Sequence, residues 1–172
     1  MMLTDQPLLG DFLHHLEHSK RYSPHTLAAY RRDLHRYLTK LNSPCAAATV
    51  QDVQRFINQL HAQHLTAKSI QRNLSAVRSF YDFLLQRKLT RVNPAKLVSA
   101  PKAARKLPRV LDTDQAAQLL DFAEPKDDRA VCDRAMLELF YGSGLRLSEV
   151  AGLRIADLDL AQGFVSVIGK GN

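Results

Sequence analysis

The first half of the chain contains four successive stretches in which apolar residues recur at the spacing of an α-helix. The longest runs from Thr66 to Gln86, and its apolar residues fall on one face: Ile70, Leu74, Val77, Tyr81 and Leu84. A stripe of this kind is typical of an amphipathic helix that packs by one side, whereas a half-buried strand would alternate every second residue. These residues therefore predict a helical bundle.

Local start signals predict where the helices begin. Ser23-Pro24 joins an N-cap serine to a proline at the first helical position, and Thr49 precedes a third apolar stripe. We expect helices over roughly 6–18, from Pro24 to about Leu41, from Val50 to about Leu60, and from Thr66 to Gln86. Asn93-Pro94 should close the bundle, because Asx-Pro pairs favour turns.

Charge is distributed unevenly along the chain. The net charge is +7, but residues 1–111 hold 18 lysines and arginines against 6 acidic residues, and residues 112–172 hold 6 against 11. This asymmetry predicts two units, of which the first faces a polyanion. No apolar run approaches the roughly 18 residues of a membrane span. We therefore expect nucleic acid as the partner, without membrane insertion.

The N-terminal residues do not resemble a secretion signal, and Cys45 and Cys132 lie far apart in the sequence. Two isolated cysteines are typical of free thiols in a reducing compartment, so we expect a cytoplasmic protein without disulfides. All seven histidines precede residue 65. His14 and His18 have metal-ligand spacing, but no third ligand accompanies them, and surface histidines are the better interpretation.

Proline and basic residues divide the chain into domains. We predict a helical domain over residues 1–95, a basic linker over 96–111 and a second domain over 112–172. In the second domain, Asp112-Thr113 should cap a helix, another should span about Asp127–Tyr141, and a short one should follow Arg146. Only Phe164–Ile168 has the β-branched composition of a strand.

Two groups of basic and small polar residues are candidates for DNA contact. A helix with a polar, basic face can enter a major groove, and linker cations can follow phosphates. An amphipathic helix that shows its charges to water is an equally good explanation of any single residue. The excess of basic residues in this half favours DNA for the group as a whole. The candidates are Lys68, Arg72, Ser75 and Arg78 on the fourth helix and Lys102, Arg105 and Lys106 in the linker.

Arg146 and Lys170 are candidates for phosphate chemistry. Arg146 follows a Gly142-x-Gly144 break between two helical patterns, with Glu149 one helical turn later, and Lys170 lies between two glycines. An arginine fork suits a phosphate, and a lysine can bind one or donate a proton. Neither glycine pattern completes a dinucleotide or Walker motif. Spacing alone leaves a surface arginine and a turn lysine as alternatives.

Several segments nevertheless resemble one family closely. The run YGSGLRLSE around Arg146, the run VIGKGN around Lys170, and residues 23–34, 66–85 and 93–111 are similar to tyrosine recombinases of the phage integrase family, of the Xer type. The resemblance covers nearly the whole chain. It implies a mainly α fold, in which a SAM-like core-binding bundle precedes the start of a catalytic domain made of helices and a small β-hairpin.

The resemblance also implies a chemistry and a set of partners. A tyrosine attacks the scissile phosphate to form a 3′-phosphotyrosyl link, without metal or other cofactor. Arg146 matches the first catalytic arginine, Lys170 matches the hairpin lysine that protonates the leaving oxygen, and Glu149 matches a supporting acid. The partners implied are a double-stranded recombination site, a sister Xer-type recombinase in a heterotetramer on DNA, and a cell-division DNA translocase.

The sequence departs from the family pattern after Lys170. No histidine lies beyond His64, and all five tyrosines precede Arg146, so none matches the nucleophile. We therefore expect the N-terminal portion of a recombinase, truncated before the nucleophile, that binds DNA without catalysis. Two alternatives remain: a dedicated non-catalytic DNA-binding protein, and a helical module whose basic face binds an acidic protein.

Overall fold

The computed structural model describes residues 5–102, 110–121 and 127–169. The chain divides into two compact units, Met1–Arg105 and Lys106–Asn172. Each is mainly helical, and the only sheet among the described residues is a two-stranded antiparallel hairpin in the second unit. The predicted mainly α fold class is confirmed. The predicted domain limits remain predictions.

Over residues 5–102, the first unit contains four α-helices: α1 (Asp5–His18), α2 (Pro24–Leu38), α3 (Val50–Ala62) and α4 (Ala67–Gln86). A short 3-10 helix, Cys45–Ala47, precedes α3. The predicted start signals act as expected, because Ser23 Oγ accepts from the backbone N–H of Thr26 and Thr49 forms a capping box with Asp52. The prediction of α2 as far as Leu41 is wrong by three residues, since the chain leaves the helix at Thr39.

Three turns in the first unit place a non-glycine residue in the left-handed region, at Arg21, His64 and Lys88. In two of them the next residue is a leucine whose N–H bonds back across the turn, Leu65 to Leu60 and Leu89 to Leu84. These are the backbone bonds of a Schellman-type helix end, which satisfy carbonyls that the helix leaves free. Helices α3 and α4 thus end through backbone geometry without glycine.

The core of the first unit is one continuous cluster of buried side chains contributed by all four helices. Helix α4 contacts each of α1, α2 and α3. Its stripe residues Ile70, Leu74 and Val77 are at most 1% exposed, as the sequence predicts. At about 1.5–3 kcal/mol for each fully buried large side chain, this cluster dominates the stability of the unit.

A pair of buried tyrosines links α2 and α4 to the 3-10 helix. Tyr81 donates its hydroxyl proton to the Cys45 carbonyl at 3.0 Å, and the two tyrosine oxygens lie 2.9 Å apart. Since a phenol has one proton, Tyr37 must donate to Tyr81. Both tyrosines are fully buried. The order of donation makes Tyr81 the central member of the chain.

Asn93 connects the segment after α4 to that helix through hydrogen bonds. Its amide nitrogen donates to the Arg78 carbonyl at 3.0 Å and to Asp82 Oδ1 at 2.9 Å, and its oxygen accepts from the Ala95 N–H at 3.0 Å. Val98, inside the predicted linker, is 1% exposed and belongs to the core cluster. The first residues of the predicted linker therefore pack on α4.

The second unit contains α5 (Thr113–Asp121), α6 (Asp128–Ser143), α7 (Leu147–Ala151), a 3-10 helix (Ile155–Asp157) and the hairpin β1 (Leu158–Asp159) and β2 (Phe164–Val165). Leu158 pairs with Val165 and Asp159 with Phe164. The small β-hairpin that the family resemblance implies is confirmed. The strand predicted over Phe164–Ile168 is too long, since β2 ends at Val165, and the residue pattern did not locate β1. Two residues are too few for an alternating pattern to show.

Burial differs sharply between the units. Among the described residues of the second unit, Val150 is the one buried hydrophobic side chain, at 8% exposure, while Ile155, Leu160 and Ile168 are at least 78% exposed. Apolar packing is therefore concentrated in the first unit.

Within the part of the chain that the structure describes, no helix combines the length and apolarity needed to cross a membrane.

The tyrosine pair predicts unequal effects of two similar substitutions. In Tyr37→Phe, Tyr81 keeps its bond to Cys45, so the loss should be near the roughly 1 kcal/mol of an ordinary hydrogen bond. In Tyr81→Phe, the Tyr37 hydroxyl loses its acceptor inside the core, which adds a desolvation cost of about 1–3 kcal/mol. The Cys45 carbonyl still accepts from Ala48 in both variants.

Urea unfolding of the two variants, monitored by circular dichroism, measures this difference. We expect Tyr81→Phe to be the less stable. An equal loss in both, or a larger loss in Tyr37→Phe, would contradict the direction of donation.

Candidate nucleic-acid interface and active-site arginine

The exposed face of α4 presents three of the predicted DNA-binding residues together. Lys68, Arg72 and Ser75 are exposed and lie three or four positions apart on the side opposite the buried stripe. Residues at this spacing are neighbours on a helix surface. The structure thus brings these residues together on one surface, and their contact with DNA remains a prediction.

Arg72 is held by a buried carboxylate of the neighbouring helix. Its Nε donates to Asp33 Oδ2 at 2.7 Å, and its Nη2 donates to Asp33 Oδ1 at 3.0 Å. The Asp33 side chain is 2% exposed and the Arg72 side chain 47%. The hydrogen bonding that Arg72 donates to Asp33 raises the pKa of Arg72 above its already high ordinary value. The pair therefore fixes the guanidinium at the surface, across the contact between α2 and α4.

Sequence reasoning missed Asp33, although a signal was available. Asp33 lies next to Leu34 and one turn before Tyr37, at a position of α2 that faces the core. A carboxylate on the buried side of a helix needs a cation as its partner, because an unpaired buried charge is costly. What the sequence does not reveal is which cation, since Arg72 is 39 residues away.

Arg78 has a different environment from its neighbours on α4. It is half-buried, its Nε donates to the Ala95 carbonyl at 3.0 Å, and its Nη2 donates to the Val98 carbonyl. Together with Asn93, it joins the segment after α4 to the bundle. Two of its donors are thus engaged inside the unit, and DNA contact by Arg78 stays a prediction.

Of the three linker candidates, Lys102 lies among the described residues. Lys102 is exposed at the end of the first described range. Gln71, on α4, donates to the Pro101 carbonyl at 2.9 Å, so the chain immediately before Lys102 lies against α4. Arg105 and Lys106 lie outside the described residues, and their predicted role stays a prediction.

Arg146 is placed by a sharp helix end. Gly144 ends α6 with φ +62° and ψ +23°, its N–H bonding to the Phe140 carbonyl at 3.1 Å. This left-handed conformation favours glycine, and it lets the chain leave α6 and start α7 three residues later. Arg146 is the N-cap residue of α7, with extended backbone. The predicted glycine break thus separates the two helices.

Glu149 binds Arg146 through both backbone and side chain. Glu149 Oε2 accepts from the Arg146 backbone N–H at 2.7 Å, and Oε1 accepts from Arg146 Nη1 at 2.8 Å. These bonds hold the pKa of Glu149 below its usual value, the backbone bond contributing most. The Arg146 side chain is 68% exposed. The carboxylate thus restrains a guanidinium that faces solvent, and the supporting role of Glu149 in catalysis stays a prediction.

A cleft of about 330 Å³ lies beside this pair in the second unit. Its wall includes Glu149, Arg154 and Asp157 together with residues of the chain that follows β2. Arg146 is not part of that wall. Lys170 lies outside the described residues, so its predicted position relative to Arg146 stays a prediction. In the described ranges, no three potential metal-ligating side chains come together.

The glycine break predicts opposite effects of two alanine substitutions. Gly144→Ala forces a Cβ into the left-handed region, which costs about 1–2 kcal/mol. Gly142 lies inside α6 with open space at its Cβ position. Gly142→Ala should therefore be neutral or strengthen the helix by about 0.5–1 kcal/mol.

Hydrogen exchange of the last turn of α6 and of α7 tests this pair of variants. We expect faster exchange in Gly144→Ala and equal or slower exchange in Gly142→Ala. Similar behaviour of the two variants would show that the left-handed turn does not determine this junction.

Comparison with known proteins identifies two matching family profiles. The profile described as phage integrase, N-terminal SAM-like domain, matches residues 9–88, and the profile of the phage integrase family matches residues 109–172. The tyrosine recombinase XerC of Pseudomonas fluorescens is 46% identical over 168 residues, which are 95% of this chain and 56% of that protein. The XerC of Pseudomonas aeruginosa is 47% identical, over 95% of this chain and 55% of that protein. The chain spans about half the length of these relatives.

Solved structures show the same fold. The Tn1549 transposon integrase in complex with circular intermediate DNA matches 92% of this chain and 53% of that chain, with a TM-score of 0.66 and 20% identity. The same integrase with transposon right end DNA matches 88% of this chain and 49% of that chain, with a TM-score of 0.69 and 18% identity. The resemblance found in the sequence is confirmed, and the chain belongs to the phage integrase family, with tyrosine recombinases named XerC among its relatives.

Proposed function

We propose that this chain forms the DNA-binding half and the start of the catalytic domain of a site-specific tyrosine recombinase. The observation that carries the proposal is the 46–47% identity to XerC recombinases along 95% of the chain. The exposed basic face of α4 supports it, because Lys68 and Arg72 lie on a rigid helix whose other face is the core. The Tn1549 integrase, which shares the fold, is complexed with DNA.

The reaction proposed for the whole enzyme exchanges one phosphate ester for another. A tyrosine oxygen attacks the scissile phosphorus and forms a 3′-phosphotyrosyl bond, while the bond to the 5′-oxygen breaks and that oxygen takes a proton. The 5′-hydroxyl of another strand then attacks in the reverse step and releases the tyrosine. Each step conserves one phosphodiester, so strands are cut and rejoined without an external energy source.

We assign Arg146 to charge stabilisation and Lys170 to protonation of the leaving oxygen. A fixed guanidinium is suited to the first role, because preorganised donors lose little reorganisation energy when charge develops on the phosphate. The two hydrogen bonds to Glu149 support this, since they restrain Arg146 while most of its side chain stays exposed. Glu149 is therefore proposed as a positioning residue.

The proposed biological setting follows the XerC relatives. We propose a double-stranded recombination site as the substrate, a sister Xer-type recombinase as the partner in a heterotetramer, and a cell-division DNA translocase as the activator. Resolution of chromosome dimers in the cytoplasm is the corresponding role. The chain itself, over residues 1–172, is proposed to bind DNA without cleaving it.

The basic face of α4 predicts a salt-dependent affinity for duplex DNA. At moderate salt we expect binding at about 10⁻⁴–10⁻⁶ M, the range of nonspecific protein–DNA complexes. Lys68→Ala should weaken binding on all sequences and reduce the slope of log K against log salt by about one, because one phosphate contact is lost. Fluorescence anisotropy with a labelled duplex at several salt concentrations measures both effects.

Lys96→Ala is a matched control for this experiment. Lys96 is an exposed lysine whose ammonium lies 3.1 Å from Asp82, so its charge is already balanced and the slope should change little. An affinity of the unmodified chain that does not depend on salt would contradict DNA binding and would favour the protein-interaction alternative.

The tyrosines of the chain predict that it forms no covalent link to DNA. Tyr37 and Tyr81 are fully buried, and burial raises the pKa of both phenols above the usual value. Partial burial also raises the pKa of Tyr30. Tyr22, between α1 and α2, and Tyr141, on α6, are exposed, and both precede Arg146. Incubation with a nicked suicide duplex, followed by denaturing electrophoresis, should show free protein only. An adduct mapped to any of these tyrosines would overturn the assignment of roles.

A further inference from the structure

The Asp33–Arg72 pair leaves one edge of the guanidinium open. A guanidinium has five N–H donors arranged so that two adjacent edges can each bind a planar pair of acceptors. Asp33 occupies the edge formed by Nε and Nη2. The other edge, formed by Nη1 and the second N–H of Nη2, makes no hydrogen bond among the contacts of the described residues, and the side chain is 47% exposed.

The buried carboxylate also fixes where that open edge points. Asp33 is 2% exposed and is carried by a helix packed on α4, so it cannot swing out with the arginine. Two hydrogen bonds of 2.7 and 3.0 Å then restrict rotation of the guanidinium. An exposed arginine normally loses side-chain entropy of up to about 2 kcal/mol on binding, and here folding has already removed much of it.

The pair carries no net charge, because one carboxylate balances one guanidinium. Contact with a phosphate gains affinity chiefly by releasing counterions from DNA, and a neutral pair contributes little to that release. Recognition of a base edge depends on donors held in a fixed direction and does not require a net charge. The acceptor pair that fits a planar arginine fork in the major groove is O6 and N7 of guanine.

We propose that Asp33 positions Arg72 to recognise one guanine of the DNA site through its O6 and N7. The inference rests on the proposed DNA binding of this chain. Arg72 is then a specificity-determining residue, whereas Lys68 on the same face follows the phosphates. Asp33 acts through Arg72 without touching DNA.

Selection from a pool of randomised duplexes, with the 172-residue chain at low salt, tests the assignment. The bound duplexes are sequenced, and each guanine of the selected site is replaced in turn by 7-deazaguanine, which lacks the N7 acceptor. We expect one guanine whose replacement weakens binding by about ten-fold, within the range for a bidentate base contact. Arg72→Lys should lose most of that sensitivity, since a flexible ammonium lacks the planar fork that Asp33 holds in one orientation.

Asp33→Asn separates a positioning role from a structural one. It keeps the size of the side chain but places an NH2 group where Arg72 needs an acceptor. The preference for guanine should weaken while the salt slope rises by up to about one, because the guanidinium charge is no longer balanced. A merely structural pair would lower the Tm and leave the base preference of the folded protein unchanged. Thermal unfolding by circular dichroism sets a binding temperature at which every variant is folded.

Arg55→Lys is the matched control, since Arg55 donates to Asp52 through one nitrogen at 2.9 Å on the surface of α3. It should select the same site as the unmodified chain. Identical base preferences in the unmodified chain, Arg72→Lys and Asp33→Asn would overturn the inference while leaving DNA binding intact. Failure of the unmodified chain to retain any duplex at low salt would instead overturn the proposed function.

Discussion

Helix α4 is the element on which the first unit depends. It contacts α1, α2 and α3, and the segment that follows it folds back onto its own surface. Its buried face supplies much of the hydrophobic core, and Tyr81 on that face connects α2 to the 3-10 helix before α3. The opposite face carries Lys68, Arg72 and Ser75. One helix therefore provides a rigid support for the proposed DNA-binding surface, since packing fixes one side while the other stays exposed.

Much of the first unit could be predicted from the sequence because its signals are local. Helix stripes and the caps at Ser23, Thr49 and Thr66 involve residues within one turn of one another, and the helix starts agree with them. The Gly144 break could be predicted for the same reason. The residue pattern could not locate β1, which has two residues, and the hairpin was expected only from the family resemblance. Asp159, whose carboxylate accepts from Ala161 and Gln162, and Gly163 at φ +70° mark its turn.

The candidate site was predictable in part. Residue type and helix register were sufficient to select Lys68 and Arg72 as exposed cations, whereas Arg146 was selected from the glycine break and the family resemblance. They were insufficient to distinguish Lys68 from Arg72, because the carboxylate that holds Arg72 comes from another helix. Pairing across tertiary contacts depends on how the helices pack, which a single sequence does not specify. Charge counting therefore identifies a surface, and geometry separates the residues within it.

Arg78 shows how a mutational scan of the basic residues on α4 can confuse a structural role with DNA contact. Its guanidinium binds the carbonyls of Ala95 and Val98, and its own carbonyl accepts from Asn93. Replacing it would release the segment after α4 and remove the donor to the buried Val98 carbonyl, while the Ala95 carbonyl would keep its bond from the Val98 N–H. The proposed DNA binding would then fall because the segment after α4 is no longer held in place. An arginine whose charge and position suggest a DNA contact would then stabilise the fold, and its loss would resemble a binding defect.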